Sequence, residues 1–71
     1  MTFDYSKLRG KIVEKYKSQR AFAQAFGVSE NVFSSKMSNK VRFTTSDITK
    51  IVEMLGIQER EIGEYFFTKE V

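Results

Sequence analysis

The residues best placed to do chemistry lie between Ser18 and Asn39, in the run SQRAFAQAFGVSENVFSSKMSN. Asn31, Ser34, Ser35 and Ser38 recur at i, i+3, i+4 and i+7, the spacing of one stripe on a helix. All four side chains are short, polar and uncharged. Such a stripe can exchange hydrogen bonds with another polar surface, but it holds no activated nucleophile. Lys36, Lys40 and Arg42 stand within or just beyond it and supply positive charge. The remainder of the chain offers no catalytic set. There is no histidine and no cysteine, so the commonest general base and the thiolate ligands are missing. No paired-acid constellation and no glycine-rich phosphate loop is present. The residues argue against an enzyme, and they imply no cofactor, metal or small-molecule substrate.

The elements that must carry these residues can be read from spacing and caps. Ser18 is an N-cap type, and Phe22, Ala23 and Phe26 follow it at helical spacing. Gly27 stands where a helix end wants a left-handed residue. Ser29 is a second N-cap, and a helix from Glu30 to about Ser38 follows. Val28, Val32, Phe33 and Met37 form its apolar stripe. Helices joined by so short a turn cross steeply, and the second becomes a ridge. Upstream, Asp4 or Ser6 caps a first helix running to about Lys17, with Tyr5, Leu8, Ile12, Val13 and Tyr16 as its buried face. Lys7, Lys11 and Lys15 share another face of it, either as a solvated stripe or as an anion contact. Downstream, Asn39 suits a left-handed helix end, and Lys40 to Phe43 is a loop. Thr44 or Thr45 caps a fourth helix, with Asp47 favoured in its first turn and Ile48, Ile51, Val52 and Leu55 inward. Gly56 ends it. A short fifth helix covers Glu59 to about Tyr65. The expected fold is all-α, a compact bundle of five short helices.

The chain has 71 residues, enough for one domain over 1–71. Hydrophobic residues make up 41% and charged residues 30%, a balance that folds rather than stays disordered. No apolar run reaches membrane-spanning length and the N-terminus lacks a signal core, so a cytoplasmic protein with no membrane partner is expected. Net charge is +3, unevenly spread. Residues 1–27 carry +4, residues 28–44 carry +2 and residues 45–71 carry −3. A basic front half suggests one face for a polyanion.

Taken together, Ser18-Gln19, Phe22-Ala23, Phe26-Gly27-Val28-Ser29 and Phe33-Ser34 resemble the helix-turn-helix of lambdoid phage repressor and Cro proteins. The later pattern of Phe43, Ile48, Ile51-Val52, Leu55-Gly56-Ile57 and Ile62 follows that family too. The resemblance covers about Leu8 to Phe66. It implies a lambda-repressor-like fold and sequence-specific binding of double-stranded DNA by a transcriptional regulator, with the third helix in the major groove. That groove, about 12 Å wide, admits one helix. At matching positions the base contacts are Glu30, Asn31 and Ser35, flanked by Ser34 and Ser38. Asn31 suits adenine N6 and N7, while serine reads loosely. Glu30 either accepts from cytosine N4 or simply favours the helix dipole. The resemblance also gives Gln19 a phosphate contact. Ser18 and Ser29, at helix N-termini, suit phosphates as well, and Lys36, Lys40 and Arg42 suit the DNA backbone.

Members of that family pair through the loop after the recognition helix and through the last helix. Here those positions are Val41, Phe43, Ile57, Phe66 and Phe67, although Phe43 and Phe66 equally suit the core of a single chain. A homodimer on a pseudo-palindromic operator is the expectation that follows. The alternative is a protein-interaction module of antirepressor or antitoxin type, which keeps the fold without reading DNA and docks through its acidic back half and its Phe66-Phe67 ending.

Overall fold

Local capping sets the helix boundaries. The computed structural model describes residues 2–70. Helix α1 spans Ser6–Tyr16, entered through Tyr5. Asp4 Oδ1 accepts from the Ser6 amide at 2.8 Å, so the acid holds the entry from outside the helix. Helix α2 spans Gln19–Phe26, and Ser18 Oγ accepts from the Ala21 amide at 3.0 Å. Gly27, at φ 103°, takes the left-handed turn that a side chain would strain. Helix α3 spans Glu30–Met37, capped by Ser29 Oγ, which accepts from the Val32 amide at 3.2 Å. Helix α4 spans Thr45–Leu55. Thr44 Oγ1 accepts from the Asp47 amide and Asp47 Oδ2 accepts from the Thr44 amide, a reciprocal capping box. Gly56 ends α4 at φ 67°. A 3-10 turn at Glu59–Glu61 leads into helix α5, Ile62–Phe66.

These five helices form an all-α fold, as the spacing implies. Among the described residues no strand forms, although Phe3 and Lys69 make one antiparallel bridge between the two ends of the chain. The Asp4 amide donates to the Thr68 carbonyl at 2.7 Å and the Glu70 amide to the Thr2 carbonyl at 3.2 Å. Among the described residues no helix is long and apolar enough to cross a membrane.

The core is built on aromatic rings. Phe22, Phe33, Phe66, Leu8, Ile12, Ile51 and Leu55 are fully buried. Phe22 meets Tyr16 at 4.9 Å and Phe33 at 5.4 Å between ring centroids, both edge to face. Phe43 continues the series to Phe33 at 6.0 Å, Phe66 at 5.6 Å and Tyr5 at 5.2 Å. Edge-to-face pairs of this kind add modestly to the area they bury.

Two expectations fail at the edges of the apolar stripes. Val13 is 46% exposed and Val32 47% exposed, not buried. Each sits beside an inward residue, Ile12 or Phe33, that already fills the contact. A helix turns 100° per residue, so the next position rotates out.

Candidate functional site

The exposed side of α3 carries the polar stripe. Glu30, Asn31, Ser34 and Ser38 are exposed and Ser35 is half-buried. Two of the serines spend their protons on their own helix. Ser35 Oγ donates to the Asn31 carbonyl at 3.0 Å, and Ser38 Oγ donates to the Ser35 carbonyl at 3.2 Å. Back-bonded in this way, they present acceptors outward and have no free donor. Ser29, Glu30 and Asn31 share a shallow hollow with Arg20 and Gln24 from α2. Ser18 and Ser29 are both occupied as caps, and Gln19, the first residue of α2, is half-buried.

Lys36, expected at the DNA backbone, has a partner within the chain. Its ammonium donates to Asp47 Oδ2, joining α3 to the first turn of α4. The two side chains are only 13% and 15% exposed. Burial pushes the Asp47 carboxyl up, but hydrogen bonds from Lys36 and Thr44 outweigh it and leave its pKa below the ordinary value. Lys36 therefore joins α3 to α4, and a phosphate would have to compete with a carboxylate to reach it. Lys50 is similarly engaged, donating to the Phe26 carbonyl at the end of α2 at 2.6 Å. Lys7 pairs with Glu64 and lies over the Tyr65 ring, which leaves Lys11 and Lys15 as the remainder of the lysine stripe on α1.

Lys40 and Arg42 are exposed, and among the described residues neither forms an ion pair. They border an open groove of about 230 Å³. Its walls are Phe3 and Tyr5 from the N-terminal segment, Val41 and Phe43 from the α3–α4 loop, Ile48 from α4, and Phe66 and Phe67. Val41 is 51% exposed and Phe67 53% exposed at its rim. Arg42 is close enough to Tyr5 to offset part of the effect of burial, which pushes that phenol up.

The five positions expected to pair two subunits are thus divided. Phe66 is 1% exposed and Ile57 6% exposed, so both belong to the core of this chain. The α5 helix turns Phe66 inward against Phe43, and the turn after Gly56 tucks Ile57 under α4. Val41 and Phe67 remain at the surface, and half-buried Phe43 lines the same groove. The sequence reading missed Phe3, Tyr5 and Asn39 as lining residues of one groove. The available signal was Phe3, an aromatic two residues before Tyr5 that the helical pattern of α1 does not include.

A family model described as "protein of unknown function (DUF739)" matches residues 1–69. Among solved structures, the chain is similar to the solution structure of the modulator of repression of the temperate bacteriophage TP901-1 from Lactococcus lactis. The two are 42% identical and superpose with a TM-score of 0.85, over 100% of this chain and 96% of that one. No curated protein matches the sequence.

Proposed function

Since this chain belongs to the DUF739 family and resembles a phage modulator of repression along its whole length, we propose that it modulates repression in a phage regulatory circuit. It does so by docking on a protein of the repression machinery through the aromatic groove. The observation that carries this reading is the groove itself. It combines exposed Val41 and Phe67, the half-buried rings of Phe3 and Phe43 packed on buried Tyr5, and two exposed cations at its rim. Aromatic residues and arginine are the types that dominate protein–protein hot spots. The exposed face of α3 is a poor match for DNA by comparison. Its one cation is spent on Asp47, it carries Glu30 and exposed Val32, and two of its serines have no free donor.

A second reading is direct contact of α3 with double-stranded DNA, by a homodimer, as the lambdoid resemblance implies. The α2–α3 pair with its two serine caps favours it, as do exposed Asn31 and Ser34 and the exposed charges of Arg20, Lys40 and Arg42. Half-sites would then lie roughly 34 Å apart.

Calorimetric titration of the chain with the purified repressor of the same phage tests the first reading. A complex is expected that Phe67→Asp weakens and Asn31→Ala leaves intact. Absence of any complex, together with tight binding of operator DNA by the chain alone, would favour the second.

A further inference from the structure

We propose that Asn39 is the positioning residue of the groove, a clamp whose carboxamide sets the Phe3–Tyr5 wall against the end of α3. The inference rests on the groove being the docking site. Asn39 Oδ1 accepts from the Phe3 amide at 2.9 Å, and Asn39 Nδ2 donates to the Phe3 carbonyl at 2.9 Å. One side chain thus satisfies both backbone groups of a residue 36 positions away, as a neighbouring strand would. Nδ2 also lies 3.5 Å from Glu70 Oε1, on the C-terminal segment that bridges to Phe3.

The choice of residue is informative. Asn39 has φ 67°, a left-handed conformation in which glycine is the least strained residue. Glycine would end α3 at lower cost but could not reach Phe3. Aspartate tolerates the same backbone and could accept from the Phe3 amide. It lacks the donor for the Phe3 carbonyl and would face the Glu70 carboxylate. Only asparagine meets the backbone and both hydrogen bonds at once.

The geometry connects this clamp to the groove. Phe3, Tyr5 and Asn39 line the aromatic groove on one side and a second, more polar hollow on the other. They are therefore the wall between the two. The Phe3 ring stands edge-on to Phe67 at 5.7 Å, and Tyr5 stands edge-on to Phe43 at 5.2 Å. The terminal segments hold each other through the Asp4 and Glu70 amides. Asn39 supplies the hydrogen bonds that tie this pair to the α3 side of the groove, and so fixes the spacing of the aromatic walls before a partner arrives. Walls held in advance need no ordering on binding.

The test compares the wild-type chain with Asn39→Gly and Asn39→Asp. Three measurements are made: amide exchange of Phe3, nuclear Overhauser contacts between the Phe3, Tyr5, Phe43 and Phe67 rings, and affinity for the purified phage repressor. Asn39→Gly is expected to lose protection at Phe3 and to weaken or scatter the ring contacts. It should bind about tenfold more weakly, because the walls must then be ordered on binding, and its thermal midpoint should fall by several degrees, because two hydrogen bonds are lost in the free chain. Asn39→Asp should fall between. Unchanged Phe3 exchange in Asn39→Gly, or lost protection with unchanged affinity, would overturn the proposal. If the wild-type chain binds no repressor, the docking reading fails instead. The ring contacts then decide by themselves whether Asn39 sets the wall.

Discussion

Lys36 on α3 donates to Asp47 in the capping box of α4, and the two side chains are largely shielded from solvent. This one contact ties the ridge helix to the helix behind it and removes the only lysine of α3 from its outer face. Lys36→Met should therefore destabilise the chain by about 2 kcal/mol, because Asp47 is left partly buried without its cation. The same substitution should leave salt-dependent retention on random DNA or heparin unchanged, whereas Lys40→Met should reduce it. Equal losses for the two variants would place Lys36 among the phosphate contacts after all.

Acid should act through the same pair. Asp47 titrates below its ordinary value in the folded chain, because the Lys36 and Thr44 hydrogen bonds outweigh the opposing effect of burial. A carboxylate with a depressed folded pKa contributes its full stability above the unfolded pKa, about 3.9, and loses it as pH falls through the folded value. Glu64 is shifted the same way by its hydrogen bond from Lys7, and Asp4 by those from Ser6, but both are solvent-exposed and screened. The thermal midpoint should be flat between about pH 7 and pH 5 and fall below about pH 4. Asp47→Asn should start lower at neutral pH and fall less steeply. A parallel fall in the two proteins would assign the acid sensitivity elsewhere.

Phe33 has no exposed surface and meets Phe22, Phe26 and Phe43 with centroids 5.4, 5.8 and 6.0 Å away. Its neighbour Val32 is 47% exposed. Phe33→Ala should cost about 3–5 kcal/mol, a large share of what holds so small a domain together. Val32→Ser should stay within about 0.5 kcal/mol. Urea unfolding of both variants checks the contrast, and similar midpoints would mean that α3 is rotated from the orientation described.

How much of this was legible in the sequence depends on distance along the chain. Ser18, Ser29, Thr44, Gly27 and Gly56 act on residues within four positions of themselves, so residue type and spacing revealed them. The buried positions of α2 and α4 followed from a clean 3.6-residue period. Val13 and Val32 were misplaced because an apolar residue at the edge of a stripe looks the same whether it turns in or out. Lys36–Asp47 and Asn39–Phe3 join residues 11 and 36 positions apart, and no local pattern foretells them. The groove was invisible for the same reason. Its walls come from the N-terminal segment, the α3–α4 loop, α4 and the end of α5, which adjoin only after folding.

The groove should not tolerate a carboxylate at the apolar positions Val41 and Phe67 of its rim. Val41→Asp and Phe67→Asp alter exposed residues, so each should change folding stability by less than about 1 kcal/mol. Each should nevertheless weaken association with the phage repressor by about 2 kcal/mol or more, the scale of a hot-spot residue. Calorimetry alongside thermal melts separates the two effects. Loss of affinity only in step with loss of stability would deny the rim a direct role.

The most direct measurement is a pair of nuclear magnetic resonance titrations of the isotopically labelled chain, one with the purified phage repressor and one with an operator duplex. The expected result is a saturating response to the repressor at Val41, Arg42, Phe43 and Phe67 that survives about 0.5 M salt, where exposed charges are heavily screened. The duplex alone should give weak shifts that salt removes. The contradicting result is the reverse. The duplex alone would saturate the chain with shifts centred on Asn31, Ser34 and Ser35, and the repressor would leave the groove unmoved.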